Sequence, residues 1–148
     1  MEKNASNLTQ KVKDAVVNAV KKGEDLTQSI VDICRNAVQD ALHKAEPTKE
    51  KIEQVAKDVM KGAIDGAEEA KIKTKDLIKE VMVGITDGVK QVTEKTSEAV
   101  KDASEAALEV LKDTTDKVKD AGDKAVEIAK DTFKQIMDNI KSAIDKKK

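Results

Sequence analysis

Uncharged positions recur every eleven residues along nearly the whole chain. From Val12, the series Gly23, Cys34, Ala45, Ala56, Ala67, Ile78, Val89, Val100, Leu111, Gly122, Phe133 and Ile144 carries no charge. A parallel series, from Leu8 through Ala19, Ile30, Ala41, Ile52, Ala63, Thr74, Ile85, Thr96, Ala107, Val118 and Ala129 to Ile140, is equally uncharged. One place after the first, the series from Lys13 to Asp145 is charged at all thirteen positions. Eleven residues make about three α-helical turns, so such columns become straight stripes along a helix. The pattern predicts an all-α protein of long amphipathic helices with hendecad repeats, elongated or folded into an antiparallel helical bundle or coiled coil.

Punctuation is sparse, with one proline, Pro47, and six glycines. Asn7 with Gln10 fits a capping box opening the first helix. A break is expected at residues 22–25, where Gly23 suits a helix C-terminus and Asp25 with Gln28 fits a second capping box. Pro47 suits a first helical turn, so residues 45–48 are the other expected break. Gly62, Gly66, Gly84, Gly88 and Gly122 each cost about 1 kcal/mol relative to alanine in a helix interior. None is a clear stop; as spaced pairs they also fit tight helix crossings.

A longer period lies over the short one. Residues 57–78 and 79–100 agree at eight of twenty-two positions, among them Gly62 with Gly84, Asp65 with Asp87, Gly66 with Gly88 and Thr74 with Thr96. The frame extends to 13–34, 35–56, 101–122 and 123–144, so residues 1–148 read as a single repeat region of six units. Tandem units of this length point to stacked or extended helices rather than to an enzyme.

Around the helix, the stripe is wide but weak, built from Ala, Val, Ile and Thr. Its strongest members are Val12, Ile30, Ile52, Ile78, Ile85, Val89, Val100, Leu111, Val118, Phe133, Ile140 and Ile144. Opposite lies an acidic column of Asp32, Asp65, Asp76, Asp87, Glu98, Glu109, Asp120 and Asp131. Lysines gather at the borders: Lys75, Lys119, Lys130 and Lys141 on one side, Lys51, Lys73, Lys95 and Lys117 on the other. Such lysine stems can snorkel to anionic head groups while the acidic face stays in water.

Composition changes this picture in one respect. Apolar residues make up 39% of the chain, but Phe133 is the sole aromatic. Aromatic side chains dominate compact cores, so burial per residue is expected to be thin. A net charge of -1 favours no nucleic acid, and stacking platforms for single strands are missing. A single cysteine fits a reducing, cytoplasmic setting, and no run is long and apolar enough for a transmembrane segment.

These features resemble two repeat families. Group 3 late-embryogenesis-abundant proteins have eleven-residue repeats similar to EKTSEAVKDASEAAL and KDTTDKVKDAGDKAVEIAKDTF. Exchangeable apolipoproteins have twenty-two-residue repeats with border lysines and proline punctuation, similar to the six-unit frame and Pro47. The weak, Thr-containing face and Lys73-Thr74-Lys75 also resemble synuclein repeats. The resemblance implies reversible coating of lipid surfaces by a chain that is disordered or loosely bundled when free. The Gly62/Gly66 and Gly84/Gly88 pairs depart from both families, and the aromatics common in apolipoproteins are reduced to Phe133.

Candidate chemistry is soon exhausted. His43, the lone histidine, falls in the acidic column and is read as solvated. Cys34 falls in the central apolar column and is read as a small buried hydrophobe. The carboxylates follow the solvent face, and no second His or Cys completes a metal site. The expectation is a non-enzymatic protein with no catalytic residue, metal or cofactor. Its partner is a lipid or other hydrophobic surface, in which case it sits at the periphery of that surface, or a further copy of itself in a homo-oligomeric, coiled-coil scaffold. A stress-protectant chain is the remaining alternative.

Overall fold

A computed structural model describes residues 2–23, 25–43, 48–92, 96–115 and 119–147. Among them the chain forms six α-helices and no strand. These are α1 (Glu2–Lys21), α2 (Leu26–His43), α3 (Lys49–Glu69), α4 (Ile78–Val92), α5 (Thr96–Thr115) and α6 (Lys119–Lys147). A 3-10 turn, Thr74–Asp76, precedes α4.

The helix ends follow local chemistry. After α1, Gly23 takes a φ of 68°, and its N–H closes the last turn on the Val20 carbonyl. Asp25 then caps α2, its Oδ1 accepting from the Thr27 N–H at 3.1 Å. Gln28 does not return the bond expected of a capping box; its side chain donates to Asp32 instead. Thr48 caps α3 by accepting from the Lys51 N–H, while Pro47 and Ala45 lie outside the described residues. Asn7 caps no helix, contrary to the expectation from the sequence. Helix α1 already begins at Glu2, so Asn7 is interior and Gln10 donates to Asp14 one turn on.

Helix α3 ends at no glycine. Lys71 adopts a φ of 63°, the Ile72 N–H reaches the Ala67 carbonyl at 2.8 Å, and the Lys71 N–H reaches that of Glu68. This is a Schellman motif with lysine in the left-handed position usually held by glycine. Meanwhile Gly62, Gly66, Gly84 and Gly88 stay inside their helices.

Each helix packs on the one two places further along: α1 on α3, α2 on α4, α3 on α5 and α4 on α6. Among the described residues, α1 and α2 make no contact with α5 or α6. Helices α3 and α4 therefore form a middle layer covered on two sides. Their burial extends beyond one stripe, from Ile52, Val55, Val59 and Met60 to Gly62 and Gly66 in α3, and from Val81, Met82 and Ile85 to Gly84 and Gly88 in α4.

The glycines carry the closest crossings. A methyl group added to Gly62 would lie 2.5 Å from the Thr9 carbonyl oxygen and 2.8 Å from Val12 Cβ. At Gly66 it would meet Val16 Cβ at 2.8 Å. The α2·α4 crossing repeats this, with Cys34 Cβ 2.7 Å from such a group on Gly84 and Val38 Cβ 2.7 Å from one on Gly88. All partners of one crossing are shifted by twenty-two residues from those of the other. Positions rise together on both partners, so these two pairs run parallel rather than antiparallel. Chain reversal falls to the helix between them.

Candidate functional site

Nine of the predicted stripe residues lie in the interior of the single chain. Val12, Ile30, Ile52, Ile78, Ile85, Val89, Val100, Leu111 and Ile140 are all buried and belong to one continuous core. Phe133 is partly exposed at its edge. Val118 lies outside the described residues, as does the side chain of Ile144. Burying a Val, Leu or Ile side chain contributes roughly 1.5–3 kcal/mol, against about 0.8 for one methyl group. On α5 many of the buried side chains are of the latter kind: Ala99, Ala103, Ala106 and Ala107. Among the described side chains the core runs on into α6 through Ile136 and Ile140, with Ile128, Phe133 and Met137 packed against it.

The border lysines remain outside it. Lys51, Lys73, Lys130 and Lys141 are exposed and Lys75 is partly so. Lys73 and Lys75 sit in the α3–α4 connection and the 3-10 turn, so they do not share a continuous helix with Lys51. Lys95 and Lys117, and the side chain of Lys119, lie outside the described residues. One border departs from a simple lysine edge. The column of Lys51 and Lys73 alternates with Gly62 and Gly84, which face α1 and α2.

Polar groups caught between layers were not foreseen. Asp58 falls on the polar side of the α3 pattern, yet α1 covers it and only 9% of it is exposed. The Thr9 hydroxyl donates to the Asp58 backbone carbonyl, and the Gln54 amide to its carboxylate at 2.9 Å. Burial pushes the Asp58 carboxyl above its usual range, against the smaller opposing effects of the Gln54 hydrogen bond and of Lys51 and Lys61. Glu80, twenty-two residues on, is raised in the same direction, again mainly by burial. Thr86 and Thr132 are buried and donate to carbonyls one turn back, those of Met82 and Ile128. Among the described residues, the buried Ser104 hydroxyl has no hydrogen-bond partner.

Ion pairs tie the surface, as in Lys13–Glu69 at 3.3 Å between α1 and α3, and Lys57–Glu109 at 3.7 Å between α3 and α5. Pairs this exposed contribute about 0–1 kcal/mol each. Gln39 donates to Gln91 between α2 and α4.

The family model matches residues 2–148, almost the full sequence. The chain belongs to DUF6781, a family of unknown function. Neither a curated protein nor a solved structure matches it. For this DUF6781 member, candidate chemistry rests on the residues alone. Cys34 is fully buried and free, and burial pushes its thiol up to about 12, which keeps it protonated and unreactive at neutral pH. His43 is exposed at the end of α2. Among the described residues no group of three His, Cys, Asp or Glu side chains has the arrangement of a metal site. Nor, among them, is any helix long and apolar enough to cross a membrane. What the arrangement offers is an amphipathic surface folded in on itself.

Proposed function

We propose that this protein is a non-enzymatic, reversible coat for lipid or other hydrophobic surfaces. In water its helices fold their apolar stripe inward; at a surface they separate and lay the same stripe against it. The observation that carries this reading is the double use of Val12, Ile30, Ile85, Val89 and Val100, buried residues that also form the continuous stripe of the sequence. Moving them from a bundle to an apolar surface leaves the buried area nearly unchanged, so the exchange costs little in hydrophobic free energy. The Ala-rich packing of α5, with Ala99, Ala103, Ala106 and Ala107 buried, supports it, because each of these small side chains contributes little to holding the bundle closed. The hendecad spacing supplies the straight stripe that such a surface needs. The protein works in the cytoplasm, at the periphery of the surface it covers.

A second reading, self-assembly through the same stripe, draws on the parallel glycine crossings. An interface between α1 and α3, or between α2 and α4, can equally join two copies if the layers exchange. Sedimentation with vesicles of phosphatidylcholine alone or with phosphatidylglycerol, beside a concentration series without lipid, separates the two. The proposed function requires binding to vesicles by a chain that is monomeric in buffer. Oligomers that ignore vesicles would replace it with the scaffold.

A further inference from the structure

One edge of the closed bundle already combines exposed apolar surface with a basic border. Helix α6 buries Ala125, Ala129, Thr132, Ile136 and Ile140, while Val126, Phe133 and Met137 are partly exposed. At about 100° per residue, these three fall within about 40° of one another, beside the buried face. Lys130, Lys141 and Lys134 occupy roughly the next 40°, on the side away from the core. All three lysines are exposed. Glu127, Asp131 and Asp138, also exposed, lie beyond them on the same helix. Polarity thus runs from apolar to cationic to anionic around one shoulder. That is the order a helix needs to sit at a lipid interface with its lysines at the head groups and its carboxylates in water.

Helix α2 carries a comparable ridge of partly exposed apolar residues, Leu26, Ile33 and Ala37. Its polar neighbours are Ser29, Asn36 and Asp40, with no lysine among them. Charge therefore distinguishes two edges that are alike in apolar exposure.

We propose that the Val126–Phe133–Met137 shoulder of α6, with Lys130, Lys134 and Lys141, is where the closed bundle first docks on an anionic lipid surface. This rests on the surface-coating function and specifies which helix makes first contact. Basic residues near an anionic leaflet act additively and are screened by salt, so the docking weakens as ionic strength rises.

The test uses the full chain and vesicles of phosphatidylglycerol and phosphatidylcholine, some with brominated acyl chains. The chain has no tryptophan, so Phe133→Trp and Ile33→Trp each place a single reporter, on α6 and on α2. At low lipid, bromolipid should quench the α6 reporter at least twofold more than the α2 reporter. The triple variant K130E/K134E/K141E should lower partitioning at least tenfold. K11E/K21E/K61E, which makes the same charge change at exposed positions elsewhere, should lower it less than threefold. These reversals replace exposed side chains, so they keep the test valid if a tryptophan disturbs packing. Equal losses from the two triple variants, or equal quenching of the two reporters, would overturn the α6 assignment and leave surface coating intact. No binding of the unaltered chain to anionic vesicles would overturn both.

Discussion

Val12 and Gly62 meet so closely that a methyl group on the glycine would stand 2.8 Å from the valine Cβ and 2.5 Å from the Thr9 carbonyl oxygen in front of it. The backbone of α1 lies directly against that of α3. Cys34 and Gly84 repeat the relationship between α2 and α4, with the Val31 carbonyl oxygen 2.7 Å from the same hypothetical group.

This geometry reverses the usual sign of a helix substitution. Glycine to alanine in a helix interior normally gains about 1 kcal/mol. At Gly62 and Gly84 the added methyl must push a carbonyl oxygen that no rotamer change can move, and overpacking of this kind costs about 1–3 kcal/mol or more. Gly62→Ala and Gly84→Ala should therefore each lower stability by up to about 2 kcal/mol net, read as a fall in urea midpoint at constant slope. A rise in midpoint would mean that the helices do not cross there.

The strain at Lys71 makes the opposite prediction. A left-handed conformation costs a non-glycine residue roughly 1–2 kcal/mol, partly offset in a glycine variant by the greater freedom of its unfolded chain. Lys71→Gly should raise stability by about 0.5–1 kcal/mol in the same titration. Gly23→Ala should lower it by about 1 kcal/mol from backbone strain alone, since among the described residues beyond its chain neighbours nothing lies within 4 Å of the added methyl group.

How far the sequence reveals this fold varies along the chain. The all-helical class, the α1–α2 turn at Gly23 and the burial of Cys34 follow from spacing and local chemistry. The turn after Glu69 does not, because Lys71 is an ordinary residue whose left-handed conformation is imposed by the hydrogen bonds closing α3. Nor does the burial of Asp58. The helical period puts that residue on a solvent face, and only the position of α3 between two layers covers it. A period read along one helix identifies one buried face; a helix in a middle layer has two. That residues such as Val12, Ile30, Ile85 and Val100 share an apolar face is legible in the spacing, whereas their enclosure within a single chain depends on which helices meet.

Asp58 gives stability a pH dependence of definite sign. Burial raises its folded-state carboxyl pKa above the 3.8 of an unperturbed aspartate, so the folded chain binds a proton more tightly than the unfolded one. The penalty is present at neutral pH. It is relieved as pH falls through the raised value and is gone below 3.8. Asp58→Asn keeps an oxygen to accept the Gln54 hydrogen bond and removes the charge. Its melting temperature at pH 7 should exceed that of the parent, and the advantage should shrink on acidification toward pH 4. An advantage that grows on acidification would refute the assignment.

Cys34 reports on the α2·α4 crossing without any alteration. Its thiol is fully buried and raised to about 12. In buffer at pH 8, labelling by an aromatic disulfide should proceed at least a hundredfold more slowly than for a free cysteine, and urea should accelerate it in step with unfolding. Immediate labelling of the native chain would place Cys34 at the surface.

Whether the folded helices part on a surface is read from the distance between α2 and α4. Asn36 on α2 and Gln91 on α4 are exposed and take spin labels as cysteine variants, while buried Cys34 is protected. In buffer the two labels should give one short, narrow distance, as neighbouring helices require. On anionic vesicles the distribution should become longer and broader, with helical content retained. The same short distance in vesicle-bound protein would contradict opening.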